Sequence, residues 1–211
     1  MKGKSTTRDK ILDAAEQLFA DRGYARASIR AITDRARVNL SVAYHYFESK
    51  ESLLTEVLKR FLLPITEEEK KRLTSALEKS SGEPLPLRTL LEIFSLPRLA
   101  HSSRRALAIV SMLFSQARKN ADGGRLAQIA RGIFKETDEI FEREFSRTIP
   151  GLKLPELRLR LMCMNVILYS VLKKSHGEAK INRDITGISE DQFVEIIFKS
   201  FEAIMTAEPT I

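Results

Sequence analysis

The sequence predicts an all-α fold of about nine helices in two unequal domains, a small one over residues 1–50 and a larger one over 51–211. Three observations carry this reading. Apolar residues recur at helical spacing along most of the chain, no convincing stretch alternates with a period of two, and glycine or proline falls between the periodic segments. Hydrophobic residues make up 43% of the 211 and charged ones 30%, enough apolar side chains for a packed core and too many for a disordered chain.

The first helix is expected over 7–22, with Ile11, Leu12, Ala15, Leu18 and Phe19 on one face and Gly23 ending it in a left-handed conformation. Ser28 is placed to cap a second, short helix in which Ile29, Ile32 and Ala36 point inward. Asn39 can cap a third. Two short helices joined by so brief a turn, packed on a longer one, make a helix-turn-helix, whose second helix is shaped to enter a major groove. The three-helix N-terminal part is therefore read as a DNA-binding domain. A fourth helix opens at Ser49 and runs through Leu53, Leu54, Val57, Leu58 and Phe61 toward Pro64, where a break or kink is expected. Further helices are expected over 87–96, 102–119, 124–147, 155–174 and 190–206, separated by Pro97, Gly123 with Gly124, PGLKLP (150–155) and KINRDITG (180–187).

Lys and Arg number 35 against 28 Asp and Glu, a net charge of +7, and residues 1–60 alone hold 12 basic and 8 acidic side chains. The first quarter of the chain thus carries more than half of an excess that favours a polyanionic partner. Cys163, in the apolar run 157–172, is the single cysteine; it reads as a small core residue in a reducing compartment and rules out an internal disulfide. The polar start MKGKSTTRDK shows no secretory signal, and the most apolar window, 161–172, is shorter than the roughly 20 residues a membrane span needs. A cytoplasmic protein with no membrane partner is expected.

Residues 28–54, SIRAITDRARVNLSVAYHYFESKESLL, resemble the DNA-binding signature of the TetR family of bacterial transcriptional repressors. The resemblance implies a homodimer on double-stranded DNA with a palindromic operator. It implies contacts from Ser28 and Arg30 near the start of the second helix and from Leu40, Ser41 and Val42 at the base-facing tip. It assigns Tyr44 and Tyr46 to phosphate or base and Lys50 to a phosphate. Hydroxyls and lysine serve phosphate, arginine reads guanine, and apolar tips meet a thymine methyl. Phe47 is expected to pack inside the small domain. The family pattern carries glycine where Arg37 stands and often threonine where Val42 stands, so the turn and one hydroxyl contact depart from it.

The larger domain, in residues 63–73, 85–99 and 149–172, is similar to the TetR subgroup that includes fatty-acid-responsive repressors. That likeness implies a small-molecule effector, a fatty acid or acyl-CoA. Phe94, Met112, Phe114, Phe134 and Phe141 on the middle helices are the candidates for an apolar effector cavity. Arg98, His101, Arg104 and Arg105 form a basic cluster beside Pro97, read as a solvated helix start that could meet a carboxylate or phosphate head. Leu157, Leu161, Met164 and Leu168, with Phe193, Ile197, Phe201 and Ile204, form apolar stripes expected to serve partly a dimer bundle and partly the core.

No enzyme is expected. The three histidines, His45, His101 and His176, are scattered, and there is no glycine-rich phosphate loop, no paired metal motif and no catalytic constellation; neither cofactor nor metal is implied. The rival reading is a helical adaptor or small-molecule-binding protein without specific DNA binding.

Overall fold

The computed structural model describes residues 6–101, 103, 105–106, 108–109, 124–177, 187 and 189–210, with backbone alone at 124–126, 171–177 and 190. Among the described residues there are eight helices and no strand: α1 Thr7–Arg26, α2 Ile29–Ala36, α3 Leu40–Tyr46, α4 Lys50–Lys79, α5 Leu87–Ala100, α6 Gly124–Thr148, α7 Leu154–Gly177 and α8 Glu190–Thr206. The helix expected over 102–119 lies almost wholly outside the described residues. The chain forms two compact units, Met1–Leu63 with Ser103–Ile133, and Pro64–Ser102 with Phe134–Ile211. No described helix is long and apolar enough to cross a membrane.

In the first unit, α1 starts with a capping box in which the Thr6 hydroxyl accepts from the Asp9 N–H and the Asp9 carboxylate accepts from Thr6. Its Ile11, Leu12, Ala15, Leu18 and Phe19 are buried, as the spacing predicts, together with Ile32 of α2, Ala43 of α3, Phe47, and Leu53, Leu54, Val57 and Leu58 of α4. Each such large side chain contributes about 1.5–3 kcal/mol of transfer free energy. Gly23 interrupts α1 with φ 77°, and helical backbone resumes briefly after it. Arg8 to Glu56 at 2.5 Å and Arg60 to Asp13 at 2.6 Å join α1 to α4 at partly exposed positions, where such pairs are worth about 1 kcal/mol or less.

Neither internal proline ends its helix, which overturns the break expected at Pro64 and the helix end expected at 96. α4 continues through Pro64 to Lys79, and α5 through Pro97 to Ala100. A proline costs about 3 kcal/mol within a helix. Burial offsets it: Leu62, Thr66, Glu69 and Leu73 on α4, and Leu90, Leu91, Phe94 and Pro97 itself on α5, are all in the interior.

The core of the second unit gathers Leu73, Leu90, Leu91, Phe94, Phe141, Phe145, Leu157, Met164, Leu168, Phe198, Phe201 and Met205. Thus Leu157, Leu161, Met164, Leu168 and Phe201 lie inside the single chain, and Ile197 and Ile204 pack against them. Buried Arg160 pairs with Glu156 at 2.5 Å and donates to the carbonyls of Ile204 and Met205, closing the C-terminal end of α8. Cys163 is exposed, contrary to the core reading. At 100° per residue the run cannot turn wholly inward: Cys163 joins Leu159, Met162 and Val166 on the outer face of α7, while Met164 points into the core.

Candidate nucleic-acid interface and effector core

α2 begins where the Ser28 hydroxyl accepts from the Ala31 N–H at 3.1 Å, the predicted cap. It ends at Arg37, whose φ of 56° and ψ of 47° are left-handed. The Val38 N–H donates to the Thr33 carbonyl at 3.1 Å and the Arg37 N–H to Asp34 at 3.2 Å, a six-to-one closure that turns the chain sharply into α3. Arginine therefore adopts the conformation in which the family pattern places glycine. Asn39 stands at the start of α3 but makes no side-chain cap bond, so that expectation fails.

α3 has a divided surface. Ala43 and Phe47 are buried at 2% and 4% exposure, while Leu40, Tyr44 and Tyr46 stand out at 42%, 51% and 44%. Ser41 and His45 are exposed with them, and Val42 is half-buried. The Tyr46 ring meets the His45 ring edge-on at 5.5 Å. Ser28 and Arg30 are exposed at the start of α2. Lys50, at the start of α4, places its ammonium 4.3 Å from the Tyr24 ring centre and within 3.5 Å of the Ala25 carbonyl. Burial lowers its pKa below the ordinary lysine value. Leu40, Ser41, Tyr44 and Tyr46 are thus all exposed on a short helix, Leu40 and Tyr44 on one side of it and Tyr46 on another, with Ser28, Arg30 and Lys50 at neighbouring helix starts.

In the second unit, Phe94 and Phe141 are fully buried and meet edge to face at 5.2 Å; Phe134 is half-buried. Met112 and Phe114 lie outside the described residues. Beside Phe94 and Phe134 lies a charge cluster that sequence reasoning missed. Arg98 is no solvated head of a basic group: it pairs with buried Glu69 and donates to the Phe94 carbonyl, and its guanidinium carbon lies 3.8 Å from the Phe94 ring centre and 5.3 Å from that of Phe134. His101 bonds Glu68 at 2.7 Å, whereas Arg105 belongs to the first unit and pairs there with Glu16 at 3.3 Å; Arg104 lies outside the described residues. Burial pushes the Glu69 carboxyl up to about 7, opposed by Arg98 and reinforced by Asp138. Burial likewise raises Asp138 to about 6 against the pull of Arg98. Helical spacing of Glu69 against Leu73 would have marked it as core-facing, but nothing in the sequence names its partner.

A groove of about 1040 Å³ also opens in this unit, lined on α4 by Glu68, Arg72 and Ala76 and on α5 by Ile93 and Leu96. Of the predicted effector residues that are described, Phe94, Phe134 and Phe141, none lines it. Among the described residues no group of histidine, cysteine and carboxylate side chains could hold a metal ion.

Residues 11–57 match the domain described as that of bacterial regulatory proteins of the tetR family. Over 60 residues the chain is 45% identical to the HTH-type transcriptional repressor KstR2 of Rhodococcus jostii, a match covering 28% of this chain and 29% of that protein. Over 81 residues it is 37% identical to the HTH-type transcriptional activator FasR of Mycolicibacterium smegmatis, covering 34% and 37%. The aligned segments therefore span little more than a third of these relatives at most. In fold, the chain is similar to the fatty acid degradation regulator FadR from Bacillus halodurans, with a TM-score of 0.62 at 16% identity over 98% of both chains.

Proposed function

We propose that this chain, whose residues 11–57 match the domain of bacterial regulatory proteins of the tetR family, is a ligand-responsive transcriptional repressor. It binds a palindromic operator as a homodimer in the cytoplasm and is released by a small apolar or amphipathic effector. One observation carries the reading: α3 buries Ala43 and Phe47 and leaves Leu40, Ser41, Tyr44 and Tyr46 outward, on the second helix of a helix-turn-helix. Exposed aromatic and aliphatic side chains grouped on so short a helix are explained by a partner surface.

In this reading Leu40, Ser41 and Val42 face base edges, Tyr44 and Tyr46 meet phosphate or base, and Ser28, Arg30 and Lys50 hold the backbone. Asn39, uncommitted as a cap, joins the tip. Residues 1–50 act as the DNA-binding domain and 51–211 bind effector and partner. Twofold symmetry sets two α3 helices about 34–36 Å apart, one helical turn of DNA. An effector acts by binding better to a dimer with another spacing, since only differential affinity shifts such an equilibrium. α4 and α6 each contribute residues to both compact units and are the natural carriers of the shift. Phe94, Phe134 and Phe141, with Met112 and Phe114, supply the apolar part of the effector site. The likeness to FadR concerns the fold, so the fatty acid or acyl-CoA expectation rests on the resemblance in sequence alone.

Selection from random duplexes, followed by affinity measured against salt, tests the proposal. One palindrome is expected, with an affinity falling by a log–log slope of about −0.9 per phosphate contact. Arg30→Ala and Tyr44→Phe should each lose it. Weak binding without sequence preference would overturn the reading in favour of a helical adaptor.

A further inference from the structure

Among the described residues, two buried side-chain polar atoms find no hydrogen-bond partner, Glu69 Oε2 and the Ser95 hydroxyl of the second unit, in residues that are both 0% exposed. A buried acceptor left unmade costs about 1–3 kcal/mol, and more if charged. The Arg98 guanidinium is engaged through Nη1. Glu69 Oε1 and the Phe94 carbonyl take its Nη1, and Phe94 and Phe134 lie against it. Ser95 and Arg98 are three residues apart on α5 and so share a face. Asp138 of α6 is near enough to Arg98 and Glu69 to shift both, and Glu142 adds to Asp138. With two carboxylates against one guanidinium, the cluster carries a formal excess of negative charge. What it leaves open is an acceptor.

We propose that Glu69 and Ser95 form the polar end of the effector site and take a hydrogen-bond-donating cationic head, a primary amine on an apolar body lying against Phe94, Phe134 and Phe141. This rests on the effector-responsive reading and deepens it by naming the ligand class. The ammonium supplies three donors and no acceptor, matching the two open oxygens. A carboxylate head would meet Glu69 and Asp138 with like charge and supply no donor when ionised. The half-buried Phe134 and Asp138 mark the side of approach. Glu69 sits on α4 and Asp138 on α6, the two helices that also contribute to the first unit, so an amine held here bears on both.

Octylamine, octanol and octanoate, equal in chain length, separate the alternatives by calorimetric titration of the full chain at pH 8 and by release of the selected operator. Octylamine should bind at least tenfold more tightly than octanoate and release the DNA. That preference should fall at least tenfold in Glu69→Gln and several-fold in Ser95→Ala, with circular dichroism confirming that both variants fold. Equal or tighter binding of octanoate, binding of none of the three, or a preference that survives in both folded variants overturns the amine head. Release by octanoate alone leaves the effector-responsive repressor standing. Failure of the wild type to select an operator overturns that broader reading instead, whatever octylamine does.

Discussion

At Arg37 the chain passes through the left-handed region with a side chain that disfavours it. A residue other than glycine pays about 1–2 kcal/mol there. Glycine would recover this, less about 0.5–1 kcal/mol for its greater freedom when unfolded. Arg37→Gly is therefore expected to raise the stability of the first unit by about 0.5–1 kcal/mol, a rise of a few degrees in Tm by calorimetry. A fall in Tm would show that the arginine side chain contributes more than its backbone costs. The same position illustrates what was legible. The departure from the family pattern was visible in the sequence, but not that the turn would hold its shape around arginine. The six-to-one closure through Thr33 and Val38, with Ile32 and Ala43 buried on either side, fixes it.

Among elements, α7 separates what periodicity can and cannot say. Its apolar residues occupy two faces: Leu157, Leu161, Met164 and Leu168 are buried, while Leu159, Met162 and Val166 are 53%, 53% and 44% exposed. The second set, at i, i+3 and i+7 with Cys163 at i+4, forms a continuous stripe. In the proposed homodimer this stripe, with Val194 and Ile196 of α8, meets its twofold mate. Met162→Glu should shift the chain toward monomer in sedimentation velocity without unfolding it, and Cys163 should then react faster with a thiol reagent. A dimer unchanged by the substitution would place the interface elsewhere. The sequence showed that the run 157–172 exceeds one face's share of apolar residues, but assigned to the dimer several side chains that the core takes. Which stripe goes inward depends on where α5 and α8 pack, which no local pattern contains.

For the whole molecule, the buried acids make stability depend on pH in an unusual direction. Glu69 titrates near 7 in the folded chain against 4.5 in the reference state, so the folded chain binds more protons between those values. Stability then falls as pH rises from about 4.5 through 7, by on the order of 3 kcal/mol if the full shift applies. Asp138 adds a loss of the same sign from about 4 to 6. Glu56, Glu68 and Glu195, held below the ordinary range by their basic partners, act oppositely at lower pH. Chemical denaturation at pH 5 and pH 8 should find Glu69→Gln less pH-dependent than wild type and relatively more stable at pH 8. Equal slopes would mean that Glu69 is ionised throughout.

The sequence by itself determined the all-helical class, the ends of α6 and α8 within a residue, the Ser28 cap, the burial of Phe47 and the exposure of Tyr44 and Tyr46. These follow from spacing of a few residues, from capping chemistry, and from a turn short enough to leave few conformations. Only the tertiary structure decided that Pro64 and Pro97 lie within helices, that Cys163 faces outward, and that Arg98 is buried beside Glu69 rather than solvated. Each of those outcomes is set by contacts between residues distant in the chain. Packing offsets the proline penalty, chooses which of two apolar faces is covered, and brings together α4, α5 and α6 around one buried charge.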